Sequence, residues 1–194
     1  MKTTNGSALT SSVSSNSQTS PQARVIEIVG LMLLGVVAVA VHAAGRNRFE
    51  LPPGHQGLTW IALLMVGRLT SRIRWAGIAS ATGAAGTTFL PIWRLGDPFL
   101  GLSYAAAGFI TDLGLGGFRS RIAPVWLVAL IGGLAHSAKP LTRSIVRLGG
   151  WQYDSLLAGL PYPLASHFLF GVAGAIIGVG FLYVTGQRAG RIAD

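Results

Sequence analysis

Apolar residues fall into runs along the chain, and short polar or basic segments separate these runs. The first run, Val25–Ala44, contains about 20 residues, enough for a helix to cross roughly 30 Å of hydrocarbon. Four later runs have a similar character and predict further spans: Trp75–Trp93, Phe99–Leu115, Ile122–Ala138 and Pro163–Thr185.

The second run, Leu58–Leu69, is shorter and is closed by Arg68, Arg72 and Arg74. At about 12 residues it is too short to cross a bilayer alone. With the polar lead from His55 and the tail to Ile73 it becomes long enough; the alternative is that it enters the bilayer only partway. We therefore predict an all-α integral membrane protein, a bundle of about six transmembrane helices.

Polar segments and prolines mark the expected boundaries of the membrane domain and its spans. Residues 1–23 are rich in serine and threonine and lack apolar periodicity, which predicts a disordered tail. Residues 24–188 form the predicted membrane domain, and 189–194 a short cytoplasmic tail. Proline is expected to end the fifth span at Lys139-Pro140, and the stretch Leu141–Tyr162 predicts a short helix in the interface. Ala38-Val39-Ala40 resembles a signal-peptidase site, so processing remains an alternative.

Composition agrees with a membrane location. The 194 residues are 51% hydrophobic and 11% charged, with a mean hydropathy of +0.55, whereas soluble domains carry about 25% charged residues. The net charge is +9, but the bases lie at the ends of apolar runs, where topology and anionic headgroups require them. The absence of cysteine excludes disulfides and thiolate metal sites.

The distribution of bases predicts the orientation. With six spans and both termini inside, nine of the 15 lysines and arginines lie on the inner side and six on the outer side. The loop Arg46–Trp60, the turn Arg94–Pro98 and the segment Leu141–Tyr162 then face outward together. In the loop, Pro52 and Pro53 stop any helix, and Gly54 and Gly57 permit a tight turn.

Motifs for known chemistries are missing. The sequence contains no HExxH, GxSxG, Walker A or GxGxxG motif, and its four histidines lack metal-ligand spacing. We therefore predict no catalytic or metal-binding residues and no cofactor; a metal site assembled from histidines of separate helices is an alternative. A membrane-embedded enzyme using Asp112 or His136 is a remaining alternative, although these two residues are expected at opposite ends. Asp112 is expected to pair with Arg119 or Arg68, and His136 and His167 to bond a backbone carbonyl or a serine.

Polar and aromatic residues cluster on the predicted outer side, where they suit a small heterocyclic ligand. The candidate binding residues are His55, Gln56, Trp60, Trp93, Arg94, Asp97, Tyr104, His136, Lys139 and His167. Small residues also predict helix-packing faces. The candidates are Gly35, Ala40 and Ala44 on the first span and the pair Gly174 and Gly178 on the sixth. A scaffold protein that recruits partners through such faces, with no ligand, is a second alternative.

Four segments resemble the substrate-binding S component of an energy-coupling factor (ECF) vitamin transporter: LPPGHQGLTW, FLPIWRLGDP, GLAHSAKPL and LPYPLASHFLFGVAGAIIG. The resemblance covers residues 24–188. It implies six helices in a bacterial cytoplasmic membrane, both termini inside, and an outer loop over a vitamin pocket. It also implies a coupling membrane protein and two cytoplasmic ATPases as partners. In that family, small residues four apart on the first helix contact the coupling protein, and Ala40 and Ala44 match this spacing.

Overall fold

The structure, a computed structural model, describes residues 20–45, 54–90, 97–118, 123–157 and 159–186. Within these ranges the chain forms six α-helices and no strand, which confirms the predicted all-α class. The helices are α1 (Pro21–Gly45), α2 (Gly57–Thr70), α3 (Ala76–Thr88), α4 (Leu100–Leu115), α5 (Val125–Leu148) and α6 (Pro161–Val184), with a 3₁₀ turn at Asp154–Leu156 before the last.

Three of these helices are long and apolar enough to cross a membrane: Pro21–Ala44 within α1, then α5 and α6. The apolar helices α2 and α4 have 14 and 16 residues, and α3 has 13. Side chains such as Val29, Leu33 and Val37 recur every four residues on α1 and are about half exposed, as expected for a face that meets lipid. The composition and these surfaces indicate a membrane protein.

Close backbone contacts hold the helices together. α1 packs on α3, α3 on α4, α4 on α5, α5 on α6, and α6 on α2. A Cβ atom built on Gly35 of α1 would lie 1.9 Å from the Ser80 carbonyl oxygen of α3, and one on Gly83 would lie 2.0 Å from that of Met32. Glycine is therefore required where these helix backbones touch.

Residues from distant parts of the chain meet at two ends of the bundle. At the first, called the histidine end, His136 and His167 lie beside the turn that precedes α2. At the second, called the arginine end, Arg68 of α2 forms an ion pair with Asp112 of α4, with 3.2 Å between Nε and Oδ1. Both residues are 3% exposed. The expected pairing of Asp112 with Arg68 is confirmed.

Asp112 also holds the start of α3. Its two carboxylate oxygens accept the backbone N–H groups of Gly77 and Ile78, at 2.9 and 2.8 Å. These donors have no partner within the first turn of a helix, and a negative charge there is favourable. The Arg68 guanidinium donates in turn to the Leu115 carbonyl oxygen at 3.0 Å. One buried ion pair thus fixes α2, α3 and α4 at the arginine end.

Several predicted boundaries are wrong. α5 does not stop at Lys139-Pro140 but continues to Leu148, so the first part of the predicted interfacial segment belongs to α5. Pro140 is tolerated because tertiary contacts hold the helix beyond it: Ser103 and Thr142 bond at 2.6 Å, and Arg143 bonds Asp97. α1 begins at Pro21, inside the predicted disordered tail. The rest of that tail (1–19) and the C-terminal residues 187–194 lie outside the described residues.

Candidate functional site

The sequence Gly-His-Gln-Gly at 54–57 forms the turn that leads into α2 and lies against α5 and α6. Gly54 has φ of +92°, a conformation that L side chains rarely adopt. A Cβ atom on Gly54 would lie 2.9 Å from the Cα of His167, and one on Gly57 would lie 2.4 Å from Cδ2 of His136. The predicted tight turn is confirmed, and its two glycines leave space for the two histidines.

The imidazoles of His136 and His167 pack against each other, with ring centroids 4.8 Å apart and planes inclined by 32°. Nε2 of His136 bonds the Gly54 carbonyl oxygen at 2.9 Å, and Nδ1 of His167 bonds the Pro163 carbonyl oxygen at 2.7 Å. The expected bonds to backbone carbonyls are confirmed. Because a carbonyl only accepts, each of these nitrogens carries a proton, and a neutral ring keeps one acceptor nitrogen.

Donor groups and aromatic rings complete the histidine end. The Lys139 amino group donates to the side-chain oxygen of Gln56, which connects α5 to the turn. Trp60 of α2 and Tyr104 of α4 meet edge to face, with ring centroids 4.8 Å apart. Elements that are far apart in sequence therefore supply an amine, an amide, two imidazoles and two aromatic rings to one region.

A cavity of about 20 Å³ lies among these groups, with room for about one water molecule. Ligand sites for small organic molecules usually measure about 300–1,000 Å³. The histidine end is therefore closed around a small void. The void is lined by His42, Gln56, Trp60, Ser103, Tyr104, Ala107, Ala135, His136 and Lys139.

Asp97 lies just before α4 and bonds side chains of α5 and of the segment after it. Its carboxylate accepts two bonds from Arg143, at 2.8 and 3.0 Å, and one from the Tyr153 hydroxyl at 3.2 Å. The Arg143 guanidinium also lies over the Tyr153 ring, 5.0 Å from its centroid. Burial and then the negative charge of Asp97 raise the pKa of Tyr153 to about 12. This network ties the segment after α5 to the start of α4.

The structure brings most of the predicted ligand-binding residues together. Gln56, Trp60, Tyr104, His136 and Lys139 line the void. His167 stacks on His136, His55 is half-buried in the turn, and Asp97 supports Arg143. Trp93 and Arg94 lie outside the described residues.

Sequence reasoning missed His42 and Ser103, which also line the void. His42 is a polar residue in the last turn of the first predicted span, and that position was the available signal. Ser103 lies one residue before Tyr104 in a short apolar helix, where a lone serine gives no such signal.

The predicted partner face on α1 divides between two environments. Gly35 is buried against α3, so it serves packing within the chain. Ala40 is half-buried and Ala44 is exposed, and these two remain a predicted contact surface. On α6, Gly174 and Gly178 face α2: their Cβ atoms would lie 2.2 Å from the Gly57 carbonyl oxygen and 2.7 Å from that of Ala62.

Among the residues that the structure describes, no group of three or more histidine, aspartate or glutamate side chains is placed to hold a metal ion. Compared with known proteins, the chain matches no family model, no curated protein and no solved structure, so its function has to be argued from its residues and their geometry.

Proposed function

We propose that the chain is a six-helix membrane protein that captures a small heterocyclic metabolite at its histidine end, as the S component of an ECF-type vitamin transporter does. One observation carries the proposal. Costly polar groups from α2, α4, α5 and α6 converge beside the Gly54–Gly57 turn, although each could instead have been placed at the water interface. Intramembrane polar groups that gather in this way usually mark a binding or transport site.

The chemistry of the cluster fits a flat ligand with both donors and acceptors. Neutral His136 and His167 each keep one acceptor nitrogen, while the Lys139 amine and the Gln56 amide provide donors. Trp60 and Tyr104 offer apolar faces next to these groups. A nitrogen heterocycle with N–H and carbonyl groups can use all three kinds of contact, as many vitamins would.

Binding requires the histidine end to open, because the present void of about 20 Å³ holds about one water molecule. Two described bonds connect the turn to α5: the bond from His136 to the Gly54 carbonyl and the bond from Lys139 to Gln56. A ligand that replaces Gln56 on Lys139 and the Gly54 carbonyl on His136 would break both bonds and allow the turn to move outward. In this proposal the turn covers the bound metabolite on the outer side of a bacterial cytoplasmic membrane.

The partners follow from the same proposal. A coupling membrane protein and two cytoplasmic ATPases would supply the energy for delivery. Ala40 and Ala44 remain the proposed contact on α1. The burial of Gly174 and Gly178 against α2 disfavours a scaffold that recruits partners through that pair. The alternative of a membrane-embedded enzyme is also disfavoured, because its two candidate residues lie far apart. Asp112 pairs with Arg68 at the arginine end, whereas His136 lies at the histidine end.

Native mass spectrometry of the full chain, extracted in mild detergent and offered a panel of vitamins, tests the proposal. We expect one vitamin to remain bound, and Lys139→Met or Tyr104→Ala to weaken it at least tenfold. Trp126→Phe is the matched control, because Trp126 is 68% exposed on α5 and lies outside the void. No binding across the panel, or equal loss in the control, would contradict ligand capture; co-purification without ATPases would contradict the ECF assignment.

A further inference from the structure

Two grooves meet at the arginine end, on the surface between α1 and α2. The first, of about 560 Å³, follows the two helices and is walled by apolar residues that include Leu31, Leu34 and Val66. The second, of about 330 Å³, lies at the ends of the helices and is walled by Arg24, Arg72, Arg74 and Trp75 among others. Both grooves include Glu27 and Arg72, so the basic groove continues into the apolar one.

The three arginines of the basic groove are exposed, so their guanidinium groups can reach an anionic ligand. Among the residues that the structure describes, no carboxylate forms an ion pair with Arg24, Arg72 or Arg74. Glu27 is the acid among the described residues of the wall, and its Oε1 already accepts the Ser71 hydroxyl at 2.6 Å and the backbone N–H of Arg72 at 2.9 Å. The basic groove therefore carries an excess of positive charge next to the apolar groove.

Trp75 marks the depth of this site. The guanidinium of Arg74 lies over its ring, 5.2 Å from the centroid. Tryptophan prefers the headgroup level of a bilayer, with its ring partly in the apolar layer. The basic groove lies at that level and opens into the apolar groove, which extends toward the hydrocarbon. The two grooves therefore match the two parts of a lipid molecule, the charged headgroup and the apolar acyl chain.

We propose that this pair of grooves binds one anionic phospholipid. The phosphate lies among Arg24, Arg72 and Arg74, which donate the forked hydrogen bonds that guanidinium groups form with phosphate. One acyl chain lies in the groove between α1 and α2, along Leu31, Leu34 and Val66. The site is independent of the histidine end and of the function proposed for it. The bound lipid would fill the gap between α1 and α2 and brace the α2–α3 connection.

The charge requirement is tested with the full chain after exchange into lipid-free detergent. Phosphatidylglycerol and phosphatidylcholine are titrated, and retained lipid is counted by native mass spectrometry. We expect phosphatidylglycerol to be preferred. Each of Arg24→Gln, Arg72→Gln and Arg74→Gln should weaken it about fivefold, which corresponds to about 1 kcal/mol per base. Arg147→Gln, at the histidine end, removes the same charge and should leave retention unchanged.

The groove requirement is tested with Gly30→Phe. Gly30 lines the apolar groove, and a Cβ atom there has nothing within 4 Å, so the side chain can fill the groove without displacing a neighbour. Gly180→Phe on α6 is the matched control, since its Cβ position is also open. We expect Gly30→Phe to lower phosphatidylglycerol retention at least tenfold and Gly180→Phe to leave it unchanged.

Two further results would overturn the proposal. Equal retention of phosphatidylcholine and phosphatidylglycerol would show an ordinary lipid surface without headgroup recognition. Inorganic phosphate or glycerol 3-phosphate that competes fully, together with unchanged retention in Gly30→Phe, would show an anion site that does not use an acyl chain. Both arms use folded variants, verified by an unchanged elution volume.

Discussion

Nε2 of His136 lies 2.9 Å from the carbonyl oxygen of Gly54, a bond between residues 82 positions apart. The bond joins the middle of α5 to the turn that leads into α2, and His136 also lines the small void. His136 therefore both closes the histidine end and belongs to its polar lining. Opening the void requires this contact to break, which makes it the first place to test how the end moves.

Replacing His136 by alanine should loosen the 54–57 turn. The change removes one of the two described donors to the buried Gly54 carbonyl oxygen, the other being the Gly57 N–H, and the loss of one such bond costs about 0.5–1.5 kcal/mol. We expect faster hydrogen exchange at the Gly57 and Leu58 amides, which bond the carbonyls of Gly54 and His55 within the turn. Ser137→Ala is the control, because within the described part of the chain the Ser137 hydroxyl bonds the Gly133 carbonyl of its own helix. Unchanged exchange in His136→Ala would show that the bond does not hold the turn.

Adding a methyl group at Gly174 should separate α2 from α6. Its Cβ would lie 2.2 Å from the Gly57 carbonyl oxygen, a contact that backbone atoms must move to relieve. We expect Gly174→Ala to lower stability by about 1–3 kcal/mol, measured as a drop in melting temperature in detergent. Gly180→Ala, on the same helix with open space around it, should be neutral or slightly stabilising. A neutral Gly174→Ala would contradict this close approach.

Breaking the ion pair at the arginine end should be costly. Asp112→Asn leaves the Arg68 guanidinium buried without its counter-charge, and such changes cost about 3–5 kcal/mol. Part of this loss should return in the double variant Arg68→Met with Asp112→Asn, because no buried charge then remains. The measurement is the melting temperature, with the exposed Asp154 of the 3₁₀ turn, changed to Asn, as control. If the double variant were no more stable than Asp112→Asn, the uncompensated charge would not be the cause.

High pH should weaken the Asp97 network through Tyr153. The pKa of Tyr153 is about 12, above the usual value of about 10 for tyrosine, so the folded state holds the proton more tightly than the unfolded chain. The resulting stability is fully present below pH 10 and is lost as pH rises through about 12. We expect the absorbance difference at 295 nm (roughly the tyrosinate band) between the protein and Tyr153→Phe to titrate near that value. A midpoint near pH 10 would contradict the buried bond to Asp97.

Local chemistry was sufficient to predict much of this molecule. Apolar runs of helical length, closed by bases and glycines, predicted six helices and the approximate start of α6, because hydropathy and backbone preference act over a few residues. The Gly-His-Gln-Gly turn was also predictable, since only glycine suits its first conformation. The expectation that buried histidines bond to carbonyls followed from the cost of an unsatisfied polar group.

The sequence alone thus determined an apolar, helical chain whose candidate polar residues lie near one end of the predicted helices. Tertiary structure decided which groups meet: that His136 reaches Gly54, that His42 and Ser103 join the lining, and that Pro140 stays inside α5. These outcomes depend on contacts between helices far apart in the chain, whose energies no local pattern contains. The size of the void was decided in the same way, since it is the space left when four helices and a turn have packed.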